Sequence, residues 1–252
     1  MDPKLSIIIP TYKRPDKLTR ALLSIDEALR TSLEIIVVDD CEKMSAAAVV
    51  MNFEEVRYIC KRGCQRGLSK SRNIGIKFST ADYIVFIDDD DFFFEGAISH
   101  FLDAAEKGIP FFFGNHAILS GDQLNVVNAT KGNYENLLIS NFLPVGSYMF
   151  KRSYLKHFFD ERMRTHEDWD FLLSNIKPSD WEFINTPLVC IDKGDDKSEE
   201  RMTRRLEHRF FADFMCVYSK HPAPTLAHQR SRRLTEFGAI VSPEQLGFDD
   251  KN

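Results

Sequence analysis

The chain has 252 residues, 43% of them hydrophobic, and a formal net charge of −5. That is enough apolar material for one large domain or two joined halves, and the acidic balance argues against general nucleic-acid binding, which needs a basic excess. No apolar run approaches the roughly 18 residues of a membrane span, the N-terminal "MDPKLSIIIPTY" lacks the pattern of a signal peptide, and five irregularly spaced cysteines do not make a disulfide framework. Cytoplasm is therefore the expected compartment.

The first half alternates strand and helix signals. "LSIII" (residues 5–9) is a short apolar run stopped by Pro10, and Leu18, Ala21, Leu22, Ile25 and Leu29 then share one helical face, with Pro15 in its first turn. "EIIVV" (34–38) and "VRYIC" (56–60) read as strands, "SKSRNIGIKFS" as a helix after Gly67, and "YIVFI" (83–87) as a fourth strand. A helix is predicted over 94–107, stopped by Gly108 and Pro110, and "FFFGN" opens another strand. The second half is less regular: "LNVVN", "SYMF" and "WEFINTPLVCI" read as strands, 169–176 as a short helix, and 203–219 as a helix through Leu206, Phe210, Phe214, Val217 and Tyr218.

Strands that are apolar throughout and separated by helices imply a mostly parallel sheet covered on both faces. Such sheets bind ligands at the carboxyl ends of their strands. "EIIVV" ends in Asp39 and Asp40, and "YIVFI" ends in Asp88, Asp89, Asp90 and Asp91, so both acidic clusters fall on that edge. A carboxylate cluster is costly unless a cation or hydrogen-bond donors compensate it. Magnesium typically takes one or two carboxylates plus substrate phosphates, and Asp88 and Asp90 have the D-x-D spacing that converges on one ion. The competing reading is a solvated acidic turn, with Asp91 capping the next helix.

Five segments, in the order "LSIIIPTYKRPDKLTRALLSI", "EIIVVDD", "GLSKSRNIGI", "YIVFIDDDD" and "HEDWDF", together resemble the family-2 glycosyltransferases across residues 5–175. The resemblance implies a GT-A (Rossmann-like) α/β fold: one catalytic domain over 1–200, with a nucleotide-sugar-binding half (1–118) and an acceptor-binding half (119–200), then a C-terminal helical extension over 201–252. It implies that Pro10, Thr11 and Tyr12 flank the nucleotide base and that Asp40 accepts hydrogen bonds from it, with Asp39 assisting or capping. Gly67 and Arg72, from the G-L-S-x-x-R-N-x-G element, would lie along the nucleotide sugar, and Asp89 would face the sugar side. Asp90 and Asp88 would hold Mn²⁺ or Mg²⁺ against the diphosphate. Asp168, with Glu167 second, would be the catalytic base of an inverting transfer from a nucleotide sugar, uridine being the favoured base, to a glycan or lipid-linked acceptor.

Two departures stand out. The late histidine common in the family is absent from "CIDKGDDKSEER", where Lys193 or Lys197 can offer a point charge instead, and the polarity of that stretch suggests an ordering lid. The tail over 201–233 is rich in arginine and reads either as a solvated helical face or as a peripheral contact with the inner face of an anionic membrane. Two other functions fit parts of the pattern: a haloacid-dehalogenase-like phosphatase, which also places D-x-D after an apolar strand, and a non-catalytic nucleotide- or glycan-binding module on the same fold.

Overall fold

A computed structural model describes residues 3–62, 66–129, 132–177, 179, 181–194 and 207–236. Four strands from the first half, β1 (Leu5–Thr11), β2 (Leu33–Asp39), β3 (Val56–Cys60) and β4 (Tyr83–Phe86), pair in parallel in the order β3-β2-β1-β4. Every residue of β1 is buried, as expected for a strand covered on both faces. Alternation along it divides the core. Leu5, Ile7 and Ile9 face a cluster with α1 (Pro15–Leu23) and α5 (Ala97–Glu106), while Ile8 faces Ile76 of α4 (Leu68–Phe78) and Trp169 and Phe171 of α7 (Glu167–Asn175).

The second half extends the same sheet with mixed polarity. β8 (Tyr148–Lys151) inserts antiparallel between β4 and β6 (Phe111–Ser120), β9 (Trp181–Asp192) runs parallel to β6, and β7 (Gln123–Val127) pairs antiparallel with β6. The short β5 (Phe92–Phe93) pairs with Val189 and Cys190 of β9. This pairing is why the helix expected from residue 94 begins only at Ala97. Conversely, α7 starts two residues before the expected 169, which brings Glu167 and Asp168 into its first turn.

The helix α4 is unusual in what it buries: Ser69, Ser71, Arg72, Asn73, Gly75 and Ile76. Asn73 exchanges hydrogen bonds with the backbone of Phe159, giving Nδ2 to its carbonyl at 3.0 Å and accepting its N–H at 2.9 Å. Gly75 lets the helix lie directly on the sheet, because a Cβ there would come within 2.3 Å of Ile8 Cγ2.

Two C-terminal helices, α8 (Glu207–Lys220) and α9 (Leu226–Glu236), secure α7 from behind. Asp213 accepts the N–H groups of Arg164 (2.8 Å) and Thr165 (3.0 Å), just ahead of α7. Buried Asp170 pairs with Lys220 (2.5 Å) and His221 (2.9 Å). Arg232, expected as part of a basic surface, is instead buried, with Nε donating to the Leu138 carbonyl and its fork to carbonyls of α8 and His221. The arginines at 201, 204 and 205 lie outside the described residues. Among the described residues, no helix is long and apolar enough to cross a membrane.

Two tests follow from this packing. Gly75→Ala gains about 1 kcal/mol of helix propensity but forces an overpacking cost of about 1–3 kcal/mol; urea unfolding should show a net loss, and an unchanged or higher midpoint would mean that α4 does not seat on Ile8. Burial raises the pKa of Asp170, but hydrogen bonds from His221 and Lys220 outweigh it, so the group sits below the ordinary carboxylate range. A depressed carboxylate contributes stability above its unfolded value near 4, and the contribution is lost as pH falls through the folded value. Melting temperature should therefore drop below about pH 4, and the drop should be shallower in Asp170→Asn.

Candidate active site

The carboxyl ends of β1, β2 and β4 meet as expected for such a sheet. Pro10 and Thr11 are buried and pair in register with Val38 and Asp39. Thr11 Oγ1 donates to Asp89 Oδ2 at 2.7 Å, and the Tyr12 N–H reaches the same oxygen at 3.4 Å. Asp89 thus ties the end of β4 to the end of β1. Burial pushes its carboxyl up to about 6, against the Thr11 hydrogen bond. Tyr12 is partly exposed, and Arg66 donates to its hydroxyl at 3.1 Å with the guanidinium over the ring.

The two acids after β2 diverge. Asp39 is fully buried, and its oxygens accept from the N–H groups of Cys41 and Ala46 (2.9 Å each) and from the Tyr58 hydroxyl (2.8 Å). It holds the turn. Asp40 stands nearer the surface, paired with the buried Lys61 ammonium at 2.8 Å and accepting the Gly67 N–H at 2.8 Å. Lys61 also reaches Ser71 Oγ at 3.2 Å, so it fastens the β2 edge to α4.

Arg72 is the centre of the arrangement. Its guanidinium, 2% exposed, donates to Asp88 Oδ1 and to Glu167 Oε1, each at 2.7 Å. Burial disfavours its charge, but Asp88, Glu167 and Asp168 hold its pKa above the ordinary value. Glu167 is pushed up to about 7 by burial, with Arg72 opposing. Asp168 beside it is not in this bridge. Its Oδ1 accepts the Trp169 N–H at 2.8 Å and its Oδ2 accepts Asn141 Nδ2 at 3.0 Å. Burial raises its pKa too, again against Arg72. The preceding His166 has φ of 57° and its ring stacks edge-on against Phe210, 4.4 Å between centroids.

Asp90 and Asp91 find their partners elsewhere along the edge. Asp90 Oδ2 pairs with Arg14 at 2.8 Å and Lys17 at 3.8 Å, and Asp91 Oδ1 accepts the Asp192 N–H at 3.1 Å. Asp192 in turn pairs with Arg20 at 2.5 Å. Among the described residues, no group of three or more His, Cys, Asp or Glu is arranged to hold a metal alone. The donor set still fits a hard divalent cation that takes two carboxylates and completes its shell with phosphate oxygens, since Asp88 Oδ2 and Asp90 Oδ1 lie outside these ion pairs. Lys193 is exposed at the end of β9, and Lys197, with the polar stretch expected as a lid, lies outside the described residues.

A cleft of about 330 Å³ joins the two acidic walls: Arg72, Asp88 and Asp91 line it with Asn141, Arg164, Glu167 and Asp168. Sequence reasoning did not reach Lys61, Asn141, Arg14 or Arg164. Lys61 carried one usable signal, its place just after the β3 run, whereas Asn141 sits in an irregular segment with no motif around it.

The architecture is that of the GT-A fold. Staphylococcus aureus TarS (residues 1–349), solved in complex with UDP-GlcNAc, superposes with a TM-score of 0.65 at 18% identity, over 79% of this chain and 60% of that one. The mannosyltransferase PcManGT of Pyrobaculum calidifontis, in complex with GDP-Man and Mn²⁺, superposes with a TM-score of 0.57 at 15% identity, over 88% and 68% of the two chains. The chain belongs to glycosyl transferase family 2, whose model matches residues 6–162. It is 30% identical over 166 residues to the GalNAc(5)-diNAcBac-PP-undecaprenol beta-1,3-glucosyltransferase of Campylobacter jejuni, a match covering 62% of this chain and 54%, about half, of that relative. Family membership removes the phosphatase alternative.

Arg72→Ala would leave Glu167 buried without its cation, which costs about 3 kcal/mol or more. Equilibrium denaturation should report that loss, and a change under about 1 kcal/mol would mean that the bridge does not hold α7 against the sheet edge.

Proposed function

We propose that the chain transfers a sugar from a nucleoside-diphosphate sugar, UDP-linked, to a hydroxyl of a glycan or lipid-linked acceptor, with inversion. The observation that carries this reading is one cleft lined by both Asp88 and Asp168, coupled through the Arg72–Glu167 bridge. On this reading residues 1–118 bind the donor and 119–200 the acceptor. Asp40, Gly67, Tyr12 and the Thr11–Asp89 pair shape the nucleotide end. Asp88 and Asp90 would hold Mn²⁺ or Mg²⁺, which when bound supplies charge neutralisation to the departing diphosphate. The Mn²⁺ complex of PcManGT supports that assignment.

Asp168 accepts the proton of the attacking hydroxyl. Its two hydrogen bonds, from Trp169 N–H and Asn141, fix the carboxylate, and burial raises its basicity against the opposing charge of Arg72. Glu167 is spent on Arg72 and positions the helix. The base and the leaving-group ligands are different residues, so a single displacement needs no covalent sugar–enzyme intermediate. The undecaprenol-linked name of the Campylobacter relative supports a lipid-linked acceptor. Such an acceptor would bring the chain to the cytoplasmic face of a membrane.

The test has two stages. A thermal-shift screen of nucleoside diphosphates and nucleotide sugars with Mn²⁺ should raise the melting temperature with at least one ligand, UDP first; no shift from any of them would sink the reading. With the donor so found, Asp168→Asn should keep donor affinity while transfer falls by about 10²–10⁴-fold, the usual contribution of a general base. Undiminished transfer would also exclude Asp168 as the base.

A further inference from the structure

Arg164 lines the same cleft as Arg72, Asp88, Glu167 and Asp168, and its side chain is exposed. Arg72 is spent on two carboxylates. Among the described residues, the Arg164 guanidinium has no hydrogen-bond or ion-pair partner, although acids line the cleft around it. Its backbone is held and its guanidinium lies close to the start of α4. Asp213 holds the backbone N–H groups of Arg164 and Thr165 at 2.8 and 3.0 Å. At the far end, the guanidinium lies over Gly67, where a Cβ would stand 3.2 Å from Arg164 Nη1. Gly67 has φ of 147°, so a side chain there is disfavoured on backbone grounds as well.

An arginine whose backbone is held, and whose guanidinium has no partner among the described residues of an acidic cleft, is a site for an anion. The planar guanidinium fork matches phosphate oxygens in a bidentate way, which a neutral sugar does not exploit. We propose that Arg164 binds a diphosphate group at the α4–α7 side of the cleft and supplies the cation that the family's late histidine does not supply here. This inference rests on the transferase reading, in which a diphosphate reaches the cleft from two sources: the nucleotide donor and a lipid-linked acceptor.

The experiment uses the full chain with Mg²⁺ and the variants Arg164→Gln and Arg164→Lys, which leave the Asp213 contacts to the backbone in place. Calorimetric titration with UDP reads the donor source, and titration of the UDP-saturated protein with inorganic pyrophosphate reads the acceptor source. Arg164→Gln should weaken at least one of the two by about tenfold or more, as loss of a charge-assisted contact does, with Arg164→Lys falling between it and the wild type, while uridine binding stays unchanged. Wild-type affinity in both arms, or an equal loss for uridine, would overturn the assignment. If the wild type binds no nucleoside diphosphate, the transferase reading itself fails. Arg164 is then judged by pyrophosphate without nucleotide: binding that Arg164→Gln loses supports the anion site, and binding that is absent or unaffected rejects it.

Discussion

The site depends on the buried guanidinium of Arg72. Taking a guanidinium out of water costs several kcal/mol, and such a group persists only where its partners are well placed. Arg72 meets that condition with one carboxylate from the end of β4 and another from the first turn of α7. These two elements are far apart in the chain and have no local reason to stay in register. The bridge gives them one, and so fixes the distance between the acids of the sheet edge and the acids of the helix. Its surroundings reinforce it. Phe159 lies under the guanidinium, 5.3 Å away, and stacks flat on Phe171 of α7 with centroids 4.0 Å apart.

Much of this was legible in the sequence. The parallel half of the sheet followed from apolar runs punctuated by helical stretches, and the acidic clusters fell at the strand ends because such runs stop where the chain leaves the core. The resemblance of "GLSKSRNIGI" to the family's G-L-S-x-x-R-N-x-G element pointed to Arg72 but not to its partners, since ion pairs between distant segments leave no periodic trace. The same blindness hid Lys61 and Asn141, each of which matters for what it touches rather than for any pattern around it. Asp39 and Asp40 were told apart only by the family resemblance; one is turned inward to hold a turn and the other stands nearer the surface beside Lys61 and Gly67, because strand alternation sends adjacent side chains to opposite faces. β5 escaped notice because two residues are too few to show an alternation.

The C-terminal helices change the meaning of the basic tail. Arg232 serves the interior, where it takes up carbonyls that helix ends and loops leave without partners. Trp169 Nε1 donates to the Leu137 carbonyl and the Tyr218 hydroxyl to the Ile139 carbonyl, so the segment leading to Asn141 is fastened by α7 and α8 together. The carboxylate of Asp168 is therefore oriented by a loop that the end of the chain keeps in place. The family match, over 6–162, stops short of Asp168 and of these supports.

The inner face of α4 shows where this architecture has least freedom to diverge. Ser71 serves a lysine, Arg72 the first turn of α7, Asn73 a distant loop and Gly75 the strand beneath, within a few residues of one short helix. Each position answers to a different neighbour, so a replacement acceptable to one cannot be compensated by another. A lineage can remodel exposed loops and its outer surface at little cost, but along this face substitutions would have to arrive together or not at all.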